Sequence, residues 1–261
     1  MSASSTIFES SGASATLTFN RPETSNALTW EMYDALADAC DSVDANPAIR
    51  VFIVRGAPGR AFAAGTDIGQ FTSLKTPEDA VAYERRLGRV LDRLEQVNAA
   101  TIAQVEGVAA GGGCVIALAC DLRVCTPAAR FGIPIARTLG NCLSASNCIR
   151  LVDLVGPARL KDLLFTGRLM DAQEANALGL VTRMAEPDAV EQVTAELAAT
   201  LTSNAPLTIR ATKEALRRLR ASHHVDRHAF DDLIVSCYTS EDFQNAVQSF
   251  LAKRRPLFNG R

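Results

Sequence analysis

The sequence predicts an α/β fold with mainly parallel strand pairing, followed by an all-helical tail, and three observations carry that prediction. Short apolar runs alternate with amphipathic stretches of helical period across residues 1–204. One of the runs, Val51–Val54 (VFIV), is continuously apolar, the mark of a strand covered on both faces. After Asn204-Ala205-Pro206 the strand-like runs stop and only helical segments follow.

Taken in order, Thr16–Phe19 (TLTF) reads as a strand ended by the turn-forming NRPETSN. Thr29 is placed as an N-cap, and Met32, Leu36, Ala39 and Val43 recur at helical spacing until Asn46-Pro47 stops the helix. The Val51–Val54 strand comes next, then an amphipathic helix from about Glu78 with Tyr83, Leu87, Val90, Leu91 and Leu94 on one side. The pattern then repeats, with TIAQV (Thr101–Val105) as a strand, Gly112–Ala119 as a helix, LRVC (Leu122–Cys125) as a strand and helices across residues 141–178. LVTRM (Leu180–Met184) is the last strand, and a helix starts near Asp188. Residues 205–261 are left for a helical region with basic stretches such as Arg217–Arg220, suited to packing on the core or on a neighbouring subunit.

Composition narrows the function. The 261 residues hold one large domain, or a core of about 200 residues with a smaller appendage. With 48% hydrophobic and 21% charged residues the chain is an ordinary globular protein. Its 27 basic and 29 acidic residues give a net charge of −2, which offers no footprint for nucleic acid or anionic lipid. MSASSTIFES lacks the basic-then-apolar order of a signal peptide, and the longest apolar stretch, Val105–Ala119, is interrupted by Gly107 and Gly111–Gly113, so no membrane span is expected. Seven cysteines, an odd number without a C-x-x-C pair, are expected to be reduced thiols of a cytoplasmic protein.

The chemistry is concentrated in two small-residue loops. Gly111, Gly112 and Gly113 open a helix, although each glycine weakens a helix interior by ~1 kcal/mol relative to alanine. Backbone without Cβ atoms lets a ligand approach the unpaired N–H groups of a helix start, where the dipole also favours an anionic oxygen. Close helix–strand packing is the competing reason for the same glycines. Nucleotide phosphate binding is the weaker reading, because neither G-x-x-x-x-G-K-[ST] nor G-x-G-x-x-G occurs in the chain. A second loop, Gly59–Phe71 (GRAFAAGTDIGQF), leaves the buried strand VFIV. Two such loops, each giving one N–H to the same oxygen, make an oxyanion hole.

These segments resemble the crotonase, or enoyl-CoA hydratase/isomerase, superfamily. FNRPETSNAL, RAFAAGTDI, VEGVAAGGGCVIALACDLRV, ARFGIP, FTGRLMDAQEANALGLV and FLAKRRPLFNGR carry the likeness, in this order, over nearly the whole chain. The resemblance implies a right-handed ββα spiral core (residues 1–204) that binds acyl-CoA, and a C-terminal helical region (205–261) that builds a homotrimer or hexamer. It assigns the two thioester-binding amides to Thr66 and Gly112, with Ala64 and Asp67 flanking the first and Lys253 reaching a coenzyme phosphate. For Asp67 a capping or loop-ordering role is preferred. No cofactor is implied beyond the coenzyme A moiety of the substrate.

The chain departs from the family at one decisive point. Hydratases of this family place one glutamate two residues after the last glycine and another directly after the proline of F-G-x-P. Here those positions are Val115 and Ile135. Proton transfer by a positioned side chain is commonly worth ~10²–10⁴-fold in rate, and neither residue supplies it. The next segment offers Arg137 to hold a substrate carboxylate, and Asn141 or Ser144 to orient a polar group. Decarboxylation of a malonyl-type thioester, which needs an oxyanion hole but no base, fits such a site. A non-catalytic acyl-CoA-binding member is the alternative, and a hydrolase using Ser144 comes third. His224, His228 and Asp232 are spaced by four residues, as metal ligands on one helix face would be, but lie far along the chain from both loops, so no metal site is expected. Cys114 adjoins the glycines without a histidine near it in sequence and is expected to be an inert buried thiol.

Overall fold

The computed structural model of the chain describes residues 4–58, 61–221 and 230–259. A hairpin of β1 (Thr6–Ser11) and β2 (Ser14–Phe19) opens the fold, and α1 (Trp30–Ala45) follows, with Thr29 at its N-cap and Asn46 at its C-cap. Next come β3 (Val51–Gly56), α2 (Pro77–Gln96), β4 (Ala100–Val105), β5 (Val108–Ala110) and α3 (Gly112–Ala119). The chain continues with β6 (Leu122–Cys125), β7 (Arg130–Gly132), the single turn α4 (Ile135–Thr138) and α5 (Ala145–Thr166), which is kinked at Gly156-Pro157. A two-residue β8 (Met170–Asp171), α6 (Ala172–Ala177) and a two-residue β9 (Arg183–Met184) precede the helices α7 (Val190–Ser203), α8 (Pro206–Ala221), α9 (Asp231–Tyr238) and α10 (Glu241–Leu251).

Six strands form one sheet in the order β1-β2-β3-β4-β6-β9, parallel throughout except for the β1–β2 hairpin. A smaller sheet, β5-β7-β8, lies beside it. Consecutive strands β4 and β5 belong to different sheets, as do β6 and β7, and each pair leads into a helix. The β3 segment does the same in reduced form, since Ala63 bridges Ala109 before the chain enters α2. This strand–strand–helix repeat is the ββα spiral. All six residues of β4, the middle of the large sheet, are buried, so the parallel pairing hides the backbone groups that such a strand cannot leave unpaired.

The tail is not independent of what precedes it. A second hydrophobic cluster joins Phe71, Tyr83 and Leu139 to Ile234, Tyr238 and Phe243, so α9 and α10 close over the loop after Thr66 and over α2. In contrast, α8 buries none of its residues and leaves Leu207, Leu216 and Leu219 exposed, the last two lining a groove of about 810 Å³. No helix among the described residues is long and apolar enough to cross a membrane.

Candidate active site

The two loops meet. Ala110 donates to the Ala63 carbonyl at 2.9 Å and Ala63 to that of Val108 at 3.2 Å, which clips the first loop onto β5. Leu28 holds the next residues, donating to Gly65 at 2.8 Å and accepting from Asp67 at 2.8 Å. Gly65 and Gly111 both have positive φ, +112° and +50°, and a Cβ on Gly111 would stand 3.5 Å from Gly65 Cα. The glycine run has two reasons at once. A side chain at Gly113 would strike the Ala63 carbonyl, and one at Gly112 would strike the Tyr33 hydroxyl, so close packing excludes both. The same run leaves the N–H of Gly112 at the open start of α3.

Thr66 is fixed by its hydroxyl, which sits between those of Tyr33 (2.8 Å) and Tyr83 (2.9 Å). Among the described residues no hydrogen bond occupies the N–H of Thr66 or of Gly112. Both residues line a cavity of about 380 Å³ whose walls are mainly apolar and include Val115 and Ile135. Two unpaired amides from adjoining loops at the wall of a mainly apolar cavity can stabilise a developing oxyanion.

Comparisons with known proteins cover the whole chain. The family model for enoyl-CoA hydratase/isomerase matches residues 9–261. This chain belongs to that family. It is 32% identical over 260 residues to the short-chain-enoyl-CoA hydratase of Clostridium acetobutylicum, covering 98% of this chain and 97% of that one. It is 30% identical over 259 residues to the crotonyl-CoA hydratase of Syntrophomonas wolfei, with 97% and 96% covered. A solved methylmalonyl-CoA decarboxylase in complex with 2-nitronate-propionyl-CoA superposes with a TM-score of 0.90 at 27% identity, over 100% of both chains.

Within this family member, the residues singled out in the sequence fall into distinct places. Ala64, Thr66, Asp67, Gly112, Val115, Ile135 and Asn141 all line the cavity. Asp67 caps a short 3-10 turn, accepting from the Gly69 N–H at 3.0 Å, and pairs with Arg21 at 3.0 Å. Arg137 is exposed, absent from the cavity wall, and lies against Gly167, so its position gives no support to a carboxylate-holding role. Its α4 turn carries Ile135 and Thr138 to the cavity and directs Arg137 the other way. Lys253 is exposed just beyond Phe250 and Leu251, which line the cavity. Cys114 is buried, and that burial pushes its thiol up to about 12. His224 and His228 lie outside the described residues, while Asp232 is exposed on α9. The described residues contain no group of three or more metal-ligating side chains.

The sequence reading missed Glu84. This α2 residue is 3% exposed, lines the cavity, and accepts from the Tyr238 hydroxyl at 2.7 Å and from the Ser144 N–H at 3.1 Å. Burial pushes its carboxyl above the usual range, outweighing these hydrogen bonds. Asn141 donates through Nδ2 to the Tyr238 oxygen at 2.8 Å, while Asn141 Oδ1 is buried without a partner among the described residues. A signal was available: Glu84 interrupts the apolar face of α2 between Ala80 and Leu87, where a charge is costly unless it has work to do.

Proposed function

We propose that this chain is an enzyme that binds an acyl-CoA thioester with the carbonyl oxygen between the Thr66 and Gly112 N–H groups and turns it over through an enolate. The observation that carries this reading is the pair of unpaired amides side by side at the cavity wall. One such donor is typically worth ~10²–10³-fold in rate. Decarboxylation of a malonyl-type thioester suits the site better than hydration. Addition of water needs groups to hold and deprotonate it, and Val115 and Ile135 present only hydrocarbon there. Loss of carbon dioxide needs no base, since the electron pair of the breaking C–C bond goes into the thioester enolate. The likeness to a methylmalonyl-CoA decarboxylase along the full chain supports this choice.

The remaining parts of the reading follow from the same site. No cofactor is used beyond the coenzyme A of the substrate, and the exposure of Lys253 just beyond the cavity-lining Phe250 and Leu251 supports a contact with a coenzyme phosphate. The exposed leucines of α8 support assembly as a homotrimer or hexamer, because such side chains are rarely left in water without a partner. A cytoplasmic location fits seven cysteines without a disulfide among them. Incubation of the purified protein with malonyl-, methylmalonyl- and crotonyl-CoA, followed by mass spectrometry, tests the assignment. The expected result is loss of carbon dioxide from a malonyl-type thioester, with little hydration of crotonyl-CoA. Fast crotonyl-CoA hydration would overturn the choice of reaction, and binding without any turnover would make the protein a non-catalytic acyl-CoA binder.

A further inference from the structure

We propose that Glu84 is the proton donor of this site, delivering its proton to the α-carbon of a thioester enolate, with Tyr238 and Asn141 as positioning residues. The inference rests on the acyl-CoA reading above and adds the acid that returns a proton to the enolate. Three observations support it. The carboxyl lines the same cavity as Thr66 and Gly112. Among the described residues it is bonded to neutral groups: the Tyr238 hydroxyl and the Ser144 N–H. The titratable groups facing it are Tyr33 of α1, its neighbour Tyr83, Tyr238 of α9, Cys142 ahead of α5 and Cys148 in its first turn. All of these are uncharged at neutral pH, so a buried carboxylate here would have no counter-charge and the neutral acid is favoured.

The hydrogen-bond chain also serves both forms of the acid. With Glu84 ionised, Asn141 Nδ2 donates to Tyr238 and Tyr238 donates to Glu84. With Glu84 neutral, the direction reverses: Glu84 donates to the Tyr238 oxygen, and Tyr238 donates to Asn141 Oδ1 once the amide turns over. In either form one amide atom of Asn141 is left without a protein partner beside the cavity, free to meet a ligand. In the transfer itself, the carbon–carbon double bond of the enolate takes the proton of Glu84, the enolate oxygen returns to a thioester carbonyl, and the carboxylate left behind is reprotonated from solvent.

The experiment is exchange of the α-hydrogens of butyryl-CoA in heavy water, read by mass spectrometry, beside calorimetric binding of the same thioester. This exchange is the same proton transfer run in reverse and forward again, and a plain saturated thioester suffices for it whatever acyl group the natural substrate carries. The protein is expected to bind butyryl-CoA and to incorporate deuterium at the α-carbon, faster as pH rises and Glu84 ionises. Glu84→Gln, which keeps the shape of the side chain, is expected to lose ~10²–10⁴-fold of the exchange rate with binding retained. Glu84→Asp should restore part of the rate, and Tyr238→Phe should move the pH midpoint of exchange rather than abolish it. Wild-type exchange by Glu84→Gln, or absence of exchange in a protein that binds butyryl-CoA, overturns the assignment of Glu84 and leaves the acyl-CoA reading standing. Failure of the protein to bind any acyl-CoA removes that reading as well.

Discussion

Two glutamates of α2 stand about three turns apart on one helix, and their surroundings give them opposite chemistry. Glu95 meets Arg150 through two contacts, at 2.7 and 2.9 Å, and Arg220 at 2.9 Å. Burial pulls its carboxyl upward, but the two guanidinium groups outweigh that pull and hold it below the usual range. Glu84 is buried more deeply than the half-buried Glu95 and among the described residues has only a hydroxyl and an amide as partners, so burial wins and its carboxyl is raised. The difference teaches that burial alone does not decide what an acidic residue does. A carboxylate with cations locks elements together, whereas one with neutral donors facing a cavity is held ready to exchange a proton.

The comparison can be broken most directly at Glu95. Glu95→Ala leaves the Arg150 guanidinium, whose side chain is 3% exposed, with the neutral Asn147 oxygen at 2.6 Å and, as its nearest carboxylate, the more distant Asp92 at 3.2 Å. Removing one partner of a buried pair costs ~3–5 kcal/mol, which urea unfolding should register in full. A loss near zero would mean that the pair is solvated and the contrast with Glu84 is false. Tyr238→Phe comes next. It takes a donor from Glu84 and strands the Asn141 amide, and the expected cost is ~1–3 kcal/mol in the same unfolding measurement.

Glu84→Gln has the smallest expected effect on stability, ~1 kcal/mol or less, because an amide can keep both of its neighbours as hydrogen-bond partners. Its pH dependence sharpens the comparison. Glu84 binds its proton more tightly folded than unfolded, so its contribution is intact below the unfolded value near 4.5 and is lost as pH rises toward the higher folded value. Glu95 runs the other way, contributing above 4.5 and losing that contribution as pH falls toward its depressed folded value. Unfolding curves of Glu84→Gln should therefore lose the decline in stability on the alkaline side of 4.5, and those of Glu95→Gln the decline on the acid side. Equal slopes in the two variants would show that the residues do not differ.

Much of the architecture was legible because it is written in local patterns. The helices from Thr29 and from near Glu78, the runs VFIV, TIAQV and LRVC, and the helix at Gly112–Ala119 are all found at the expected places. The strands that were missed, β1, β5, β7 and β8, are short or exposed, and their pairing partners rather than their own residues define them. The LVTRM run proved a strand only at Arg183–Met184. In the candidate site, the two small-residue loops were legible from composition, while Thr66 and Gly112 within them came from the family resemblance; both line the cavity. Arg137 was misplaced because a residue type suggests a role, while one helical turn decides which way the side chain leaves.

By itself, then, the sequence determined the strand–helix alternation, the two small-residue loops and the apolar residues Val115 and Ile135 that follow the glycines and the F-G-x-P proline. These are properties of short stretches, fixed by periodicity, side-chain size and the presence or absence of a carboxylate. Tertiary structure decided that the loops touch, that α9 returns to α2, and that Glu84 differs from Glu95. Glu84 takes its partners from residues 60 and 154 positions away, and Glu95 from residues 55 and 125 positions away. The proton affinity of a buried acid depends on the charges and dipoles packed around it, and nothing in its own neighbourhood of the chain specifies those.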